Sequence, residues 1–260
     1  MPANPEARSL AVFCDFENIA LGVREAKYAQ FDMDKVLERL LLKGSIVVKK
    51  AYCDWERYKE FKTAMHAASF EMIEIPHLRQ SGKNSADIRM VVDALDLCYT
   101  KEHVDTFVIV SGDSDFSPLV SKLRENAKTV IGVGVKNSSS DLLINNCDEF
   151  IYYDDLVRQD EQKRRAAKKR REAAPAGEDK KQEAFDVVLE TLNALIAERG
   201  AEEKIWGSMV KQALKRRKPG FNESYYGFRA FSDLLEEMQQ KGLVKLDPDE
   251  KSGGYLIRPA

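Results

Sequence analysis

From the start of the chain to about Val157, short β-branched and apolar runs alternate with segments of helical periodicity. The runs Leu10 to Asp15, Ser45 to Cys53, Phe70 to Pro76, Thr106 to Ser111, Lys128 to Val133 and Glu149 to Tyr152 predict strands, most of them apolar nearly throughout. Such strands suit the middle of a parallel sheet, where both faces meet helices rather than water. Helices are predicted at Asp32 to Lys43, about Arg57 to Ser69, Ser85 to Thr100, Phe116 to Asn126 and Asp141 to Asn145. On the third of these, Val91, Val92, Leu95 and Leu97 or Cys98 predict the apolar face. The alternation is that of an α/β fold. Right-handed crossovers then gather the strands' carboxyl ends on one edge, where open sheets bind ligands.

Between Arg158 and about Gln182 large apolar residues almost disappear, which marks a linker over 158–182. Its first half can extend a solvated helix, whereas Pro175 and Gly177 loosen the second. Periodicity then returns. Phe185, Val188, Leu189, Leu192, Leu195 and Ile196 predict one helix; Ile205, Met209, Val210 and Leu214 a second; Phe228, Phe231, Leu234, Leu235 and Met238 a third. The closing GLVKLDPDEKSGGYLIRP reads as two short strands around a Gly-bearing turn. Three helices and a terminal hairpin predict a small winged-helix domain over 183–260, after an α/β domain over 1–157.

The longest apolar runs, such as Phe107 to Val110, are too short to span a bilayer, and MPANPEARSL lacks the layout of a secretory signal. A cytoplasmic protein without membrane association is expected. Cys14, Cys53, Cys98 and Cys147 show no C-x-x-C pair and no histidine at zinc-ligand spacing, so they read as buried thiols. The net charge of -2 implies no global attraction to nucleic acid. Its distribution matters more.

Asp15 ends the first apolar run and opens D-F-E-N, placing Asp15 and Asn18 at a strand's carboxyl end. Asp113 and Asp115 follow Phe107 to Val110 within S-G-D-S-D-F, and Asp87 lies in the first turn of the third helix. Any single aspartate at such a position is more commonly a cap or turn residue. All four on one edge suggest more. Carboxylates gathered in a cleft repel one another unless protons or cations intervene, and an all-oxygen donor set favours Mg²⁺ or Mn²⁺. Such a site suits phosphodiester hydrolysis.

The segments AVFCDFENIALGV, GKNSADIRMVVDAL, FVIVSGDSDFSPLV and VIGVGVKNSSSDLL, in that order, resemble the NYN domain family, a PIN-like nuclease branch related to the LabA-like proteins. The resemblance covers about Leu10 to Leu156 and implies a PIN-like fold, an open, mostly parallel sheet sandwiched by helices. It also implies Mg²⁺- or Mn²⁺-dependent cleavage of single-stranded RNA leaving a 5′-phosphate. The family's acidic positions fall on Asp15, Asp87, Asp113 and Asp115 as catalytic metal ligands, with Asn18 beside them. Asn84-Ser85-Ala86 stands where many relatives have a more glycine-rich turn.

Other features of the chain point elsewhere. Asp113-Ser114-Asp115 is also a D-x-D pair, as in haloacid-dehalogenase phosphatases, but it lies far from the first strand. V-I-G-V-G-V lacks the third glycine of a dinucleotide fingerprint. His66, His77 and His103 are scattered without visible partners, and Asp93, six residues after Asp87, faces another way round its helix. Trp55 and Tyr58 suit either base stacking or core burial. Lys83 and Ser111 are candidates for substrate phosphate or for support of the ligands.

Lys163, Arg164, Arg165, Lys168, Lys169, Arg170 and Arg171 form a basic run suited to phosphates or to a solvated linker. In the last part, IWGSMVKQALKRRKPGFNESYYGFRAFSDLLEEM resembles the OST-HTH or LOTUS domain family over about Glu183 to Arg258. The resemblance implies an RNA-binding winged helix, with DNA as the alternative. Lys215, Arg216, Arg217, Lys218 and Tyr225 are the expected contacts; Phe228, Phe231, Leu234 and Leu235 are expected core. The expectation is an endoribonuclease for single-stranded RNA with a C-terminal RNA-binding module. The alternatives are a non-catalytic RNA-binding adaptor and a DNA-directed nuclease. The oligomeric state stays open.

Overall fold

The computed structural model describes residues 8–28, 30–75, 84–162, 179–200, 202–249 and 254–260. The chain divides into two compact units, Met1–Ala167 and Lys168–Ala260. In the first, β1 (Arg8–Asp15), β2 (Gly44–Cys53), β3 (Glu71–Glu74), β4 (Thr106–Val110), β5 (Thr129–Gly134) and β6 (Glu149–Tyr152) form one sheet. Its order is β3-β2-β1-β4-β5-β6, and every neighbouring pair is parallel. The helices between them are α1 (Phe16–Glu25), α2 (Met33–Lys43), α3 (Lys59–Ala67), α4 (Ser85–Thr100), α5 (Ser117–Glu125) and α6 (Asp141–Asn146). A seventh, α7, runs over 153–162. This sheet with flanking helices agrees with the PIN-like α/β expectation.

Successive strand residues point to opposite faces, so β1 supplies two cores at once. Leu10, Val12 and Cys14 pack with Phe16 and Ile19 of α1, Val36 and Leu40 of α2, and Tyr153 of α7. Ala11 and Phe13 pack with Met90 and Ala94 of α4 and with Leu119 and Leu123 of α5. Leu10 through Cys14 are fully buried. At roughly 1.5–3 kcal/mol for each large apolar side chain, burial on both faces holds β1 firmly at the sheet's centre.

Two details depart from the sequence expectations. Helix α1 was not anticipated, although Asp15 caps it and Phe16, Ile19 and Val23 recur at helical spacing on its buried side. Helix α4 has its expected limits, and its expected face is largely the buried one: Cys98 is buried, Val91, Leu95 and Leu97 pack partly buried against the core, and Met90 and Ala94 join them, so that only Val92 falls outside. Residues four apart lie nearly above one another, whereas Val92 stands about 200° round the axis from Met90. Val92 is 56% exposed and Ile88 62%.

The second unit contains α8 (Asp179–Arg199), α9 (Gly207–Arg217) and α10 (Phe231–Gln240), then an antiparallel hairpin of β7 (Val244–Asp249) and β8 (Gly254–Pro259). Phe185, Leu192, Val210, Leu214, Phe231 and Leu234 are among its buried side chains. Among the described residues no helix is long and apolar enough to cross a membrane.

Candidate active site

Strand order reverses between β1 and β4, because β2 follows β1 on one side while β4 lies on the other. A crevice opens at the carboxyl ends of the strands at such a reversal. Cys14 pairs with Val110, which brings the exits of the two strands, Asp15 and Ser111, to the same level. Asp15 is only 7% exposed. Its Oδ1 accepts from the Asn18 backbone N–H at 3.3 Å, and its Oδ2 accepts from the Ser111 hydroxyl at 3.1 Å.

The same few residues tie the two exits together. The Asn18 side-chain oxygen accepts from the Gly112 N–H at 2.8 Å, and Ser111 Oγ accepts from the Asp113 N–H at 3.2 Å. Asp113 Oδ1 accepts from the Asp115 N–H at 3.0 Å, capping a 3₁₀ turn over Ser114–Phe116. This turn precedes α5, which therefore begins one residue later than expected. Gly112 is held close to the loop after β5, where a Cβ would stand 2.3 Å from the Ser138 carbonyl oxygen.

Asp15 and Asp113 are thus caps, the role an isolated aspartate most often has. They are also electrostatic neighbours. Burial pushes the Asp15 carboxyl up to about 7, with Asp87 and then Asp113 adding to the rise against the Asn18 and Ser111 hydrogen bonds. Burial, then Asp113, Asp115 and Glu17, push Asp87 up to about 6. Asp87 stands in the first turn of α4, whose N-terminus has no side-chain cap bond. Glu17, which the sequence reading passed over, sits in the first turn of α1 and pairs with Arg57 at 3.1 Å. Its place in D-F-E-N, one step inside the helix that Asp15 caps, was the available signal.

Among the described residues no lysine or arginine forms an ion pair with Asp15, Asp87, Asp113 or Asp115. Nor do three or more His, Cys, Asp or Glu side chains there stand together in a group that could hold a metal ion. The chemistry nevertheless fits a hard divalent cation. Acidic oxygens raise one another's proton affinity, and among the described residues no ion pair offsets them, so a bound cation would relieve the repulsion.

Two recesses flank the carboxylates. One, of about 430 Å³, is polar and lined by Asn18, Gly112, Asp113 and the Asn137 to Ser140 loop. The other, of about 690 Å³, runs from Asp87 and Asp115 along Ile88, Val91 and Val92, with Pro118 and Leu142 opposite.

The remaining expected residues fall elsewhere. Lys83, His77, Lys168, Lys169, Arg170 and Arg171 lie outside the described residues. Lys215, Lys218 and Tyr225 are exposed on the second unit, and Lys180 Nζ stands 4.9 Å from the Tyr225 ring centroid. Arg217 departs from the expected role. Its side chain is 4% exposed and donates to Glu190 at 2.9 Å and Thr191 at 3.3 Å, so it joins α9 to α8. Trp55 is 1% exposed and packs on Phe16, which removes it as a stacking surface. Cys14, Cys53 and Cys98 are buried free thiols, while Cys147 is only partly buried.

A family profile described as the NYN domain matches residues 9–154 of this chain. An uncharacterized protein of Methanocaldococcus jannaschii is 30% identical over 125 residues, covering 48% of this chain and 49% of that protein. The chain therefore spans about half the length of this curated relative. A crystal structure of a protein of unknown function from Vibrio parahaemolyticus superposes with a TM-score of 0.52 at 26% identity, covering 59% of this chain and 98% of that one.

Proposed function

The chain belongs to the NYN domain family, a family of nucleases, and from that membership we propose that it is a metal-dependent endoribonuclease cleaving single-stranded RNA. The observation that carries this reading is Asp15, a nearly buried carboxylate hydrogen-bonded at the sheet's switch point, whose proton affinity is raised by burial first and then by Asp87 and Asp113. In this reading Asp15, Asp87, Asp113 and Asp115 hold Mg²⁺ or Mn²⁺. When bound, the ion polarises a phosphoryl oxygen and lowers the pKa of an attacking water.

The chain's own residues supply orientation. Ser111 donates to Asp15 and accepts from the Asp113 backbone, so one hydroxyl sets two of the four acidic positions. Asn18 grips the Gly112 backbone and keeps the exits of β1 and β4 in fixed relation. The Asp115 N–H holds the Asp113 carboxylate in place. Prepositioned groups of this kind lower a barrier because little reorganisation is left for the reaction itself.

In the second unit we place an OST-HTH or LOTUS-like winged helix that holds RNA through Lys215, Lys218 and Tyr225, with Arg216 beside them. The basic run Lys168 to Arg171 would add phosphate contacts that weaken with salt. A cytoplasmic location suits an RNA substrate.

A non-catalytic RNA-binding adaptor is the second reading, favoured by one observation: no described cluster of three candidate ligands is in place to hold a metal. Asp113→Asn separates the two. With Mn²⁺, the purified chain should cut labelled single-stranded RNA and the variant should not. Equal cutting by both would refute this assignment of the site, and no cutting of any RNA would favour the adaptor. Matched DNA oligonucleotides added as competitors test the choice of nucleic acid.

A further inference from the structure

The apolar recess beside Asp87 and Asp115 has no part in the chemistry above. We propose that it seats one unpaired base of the substrate strand, next to the phosphate to be cut; the proposal rests on the nuclease reading and extends it. Ile88, Val92 and Leu142 are 62%, 56% and 58% exposed, and all three line this one recess. Ile88, Val91 and Val92 follow one another at i, i+3 and i+4, so they form a continuous strip on α4. Val91 is partly buried against the core, whereas Ile88 and Val92 stay in water and forgo burial that the remainder of α4 takes up through Met90, Ala94 and Cys98.

The recess opens directly on the candidate site. Asp87 begins the strip, and Ile88 is its next residue, so an apolar wall starts within one helical turn, about 5.4 Å, of a carboxylate. A nucleotide has the same layout, a phosphate beside a flat ring with apolar faces. About 690 Å³ lies within the usual range of small-ligand sites. Ser117, also in the wall, is 6% exposed, and its buried hydroxyl has no hydrogen-bond partner among the described residues. That oxygen is closed off from the recess, so it belongs to the packing of the wall and is not a contact for the base.

Other apolar occupants fit less well. A second copy docking by two-fold symmetry would press Asp87 and Asp115 of both chains into one dry interface, with like charges desolvated together. A base in a duplex has both faces stacked already, so only an unpaired base can enter. Contact through ring faces tolerates any base, so the seat would select strandedness rather than sequence.

The test uses the full chain carrying Asp113→Asn, which keeps the strand intact during binding. Affinity for a labelled oligouridine RNA is compared with that for the same strand containing abasic residues. The base-bearing strand should bind about tenfold more tightly. That ratio should fall towards one when Ile88→Ser or Val92→Ser is added, with circular dichroism confirming the fold. The change in ratio between parent and variants isolates the recess, because the second unit, Tyr225 included, is identical in every protein compared. A ratio near one in the parent, the same ratio in both variants, or no binding of either strand would overturn the seat. So would a dimer that the two substitutions split while RNA binding stays unchanged, since the recess would then belong to a second copy. Cleavage is read separately with Asp113 restored. An inert chain with the expected ratios loses the nuclease reading and keeps the seat, whereas active cutting with unaltered ratios does the reverse.

Discussion

Helix α4 carries two aspartates in opposite circumstances. Asp93 is 13% exposed in its side chain and is surrounded by donors: the Tyr52 hydroxyl at 2.9 Å, Arg89 Nε at 3.1 Å and Lys50 Nζ at 3.5 Å. Asp87, at the head of the same helix, has Asp113, Asp115 and Glu17 for electrostatic neighbours, and Asp15 across the crevice is no better served. One carboxylate is neutralised within the fold. Asp15 is held by hydrogen bonds that orient it without cancelling its charge, and Asp87 faces other carboxylates. Burial alone therefore does not distinguish a structural acid from a functional one; the sign of its surroundings does.

The largest effect expected from this contrast is at Asp15. Asp15→Asn should lower RNA cleavage by about a thousandfold while raising the melting temperature, because it removes a charge that burial disfavours. Loss of both activity and stability would mean that Asp15 is a structural acid of the Asp93 kind. Thermal melts with and without Mn²⁺ check the same point.

The pH dependence should be nearly as large. An unfolded aspartate ionises near 3.9, whereas folded Asp15 keeps its proton until about 7. The folded state therefore binds more protons over that interval, and its stability falls as pH rises from about 4 to about 7. Without divalent metal the loss should be on the order of 3 kcal/mol. Mn²⁺ should restore more stability at pH 8 than at pH 5, and an equal gain at both would break the link between repulsion and metal.

Asp93→Asn should do the opposite of Asp15→Asn. It removes charge-assisted bonds from Arg89 and from Lys50, which keeps Glu71, and weakens the grip on Tyr52, at a cost of about 2 kcal/mol, or roughly 5 °C in melting temperature. Any effect on cleavage should come only through the placement of α4. The smallest contrast lies in the second unit. Lys218→Ala should weaken RNA binding severalfold, with a shallower salt dependence and an unchanged melting temperature. Arg217→Ala should lower the melting temperature instead, since that guanidinium is spent on Glu190 and Thr191.

Much of the fold was legible along the chain. All six strands of the sheet lie close to their expected positions because most are short apolar or β-branched runs, and α4 has the limits its periodicity predicts. The missed helix α1 shows where local reading fails. Its apolar positions follow so closely on those of β1 that one hydrophobic stretch concealed two elements, although the Asp15 cap stands between them. On α4 only Val92 leaves the expected buried face, for another reason. Val91, Val92, Leu95 and Met90 together make the helix apolar on more than one side, and periodicity cannot say which side the sheet will cover.

The sequence by itself determined the residue types at each strand end, and with them the acidic character of the crevice, because a carboxylate keeps its charge preference wherever the chain carries it. Local pattern also set the strands and the helical lengths, since both depend on neighbours within a few residues. Only the tertiary structure decided that β1 lies beside β4, that Asp15 loses its solvent while Asp93 gains cations, and that Ile88 and Val92 remain in water beside the crevice. Those outcomes depend on residues far apart along the chain, and the field and the solvent at a side chain are set by what surrounds it in space.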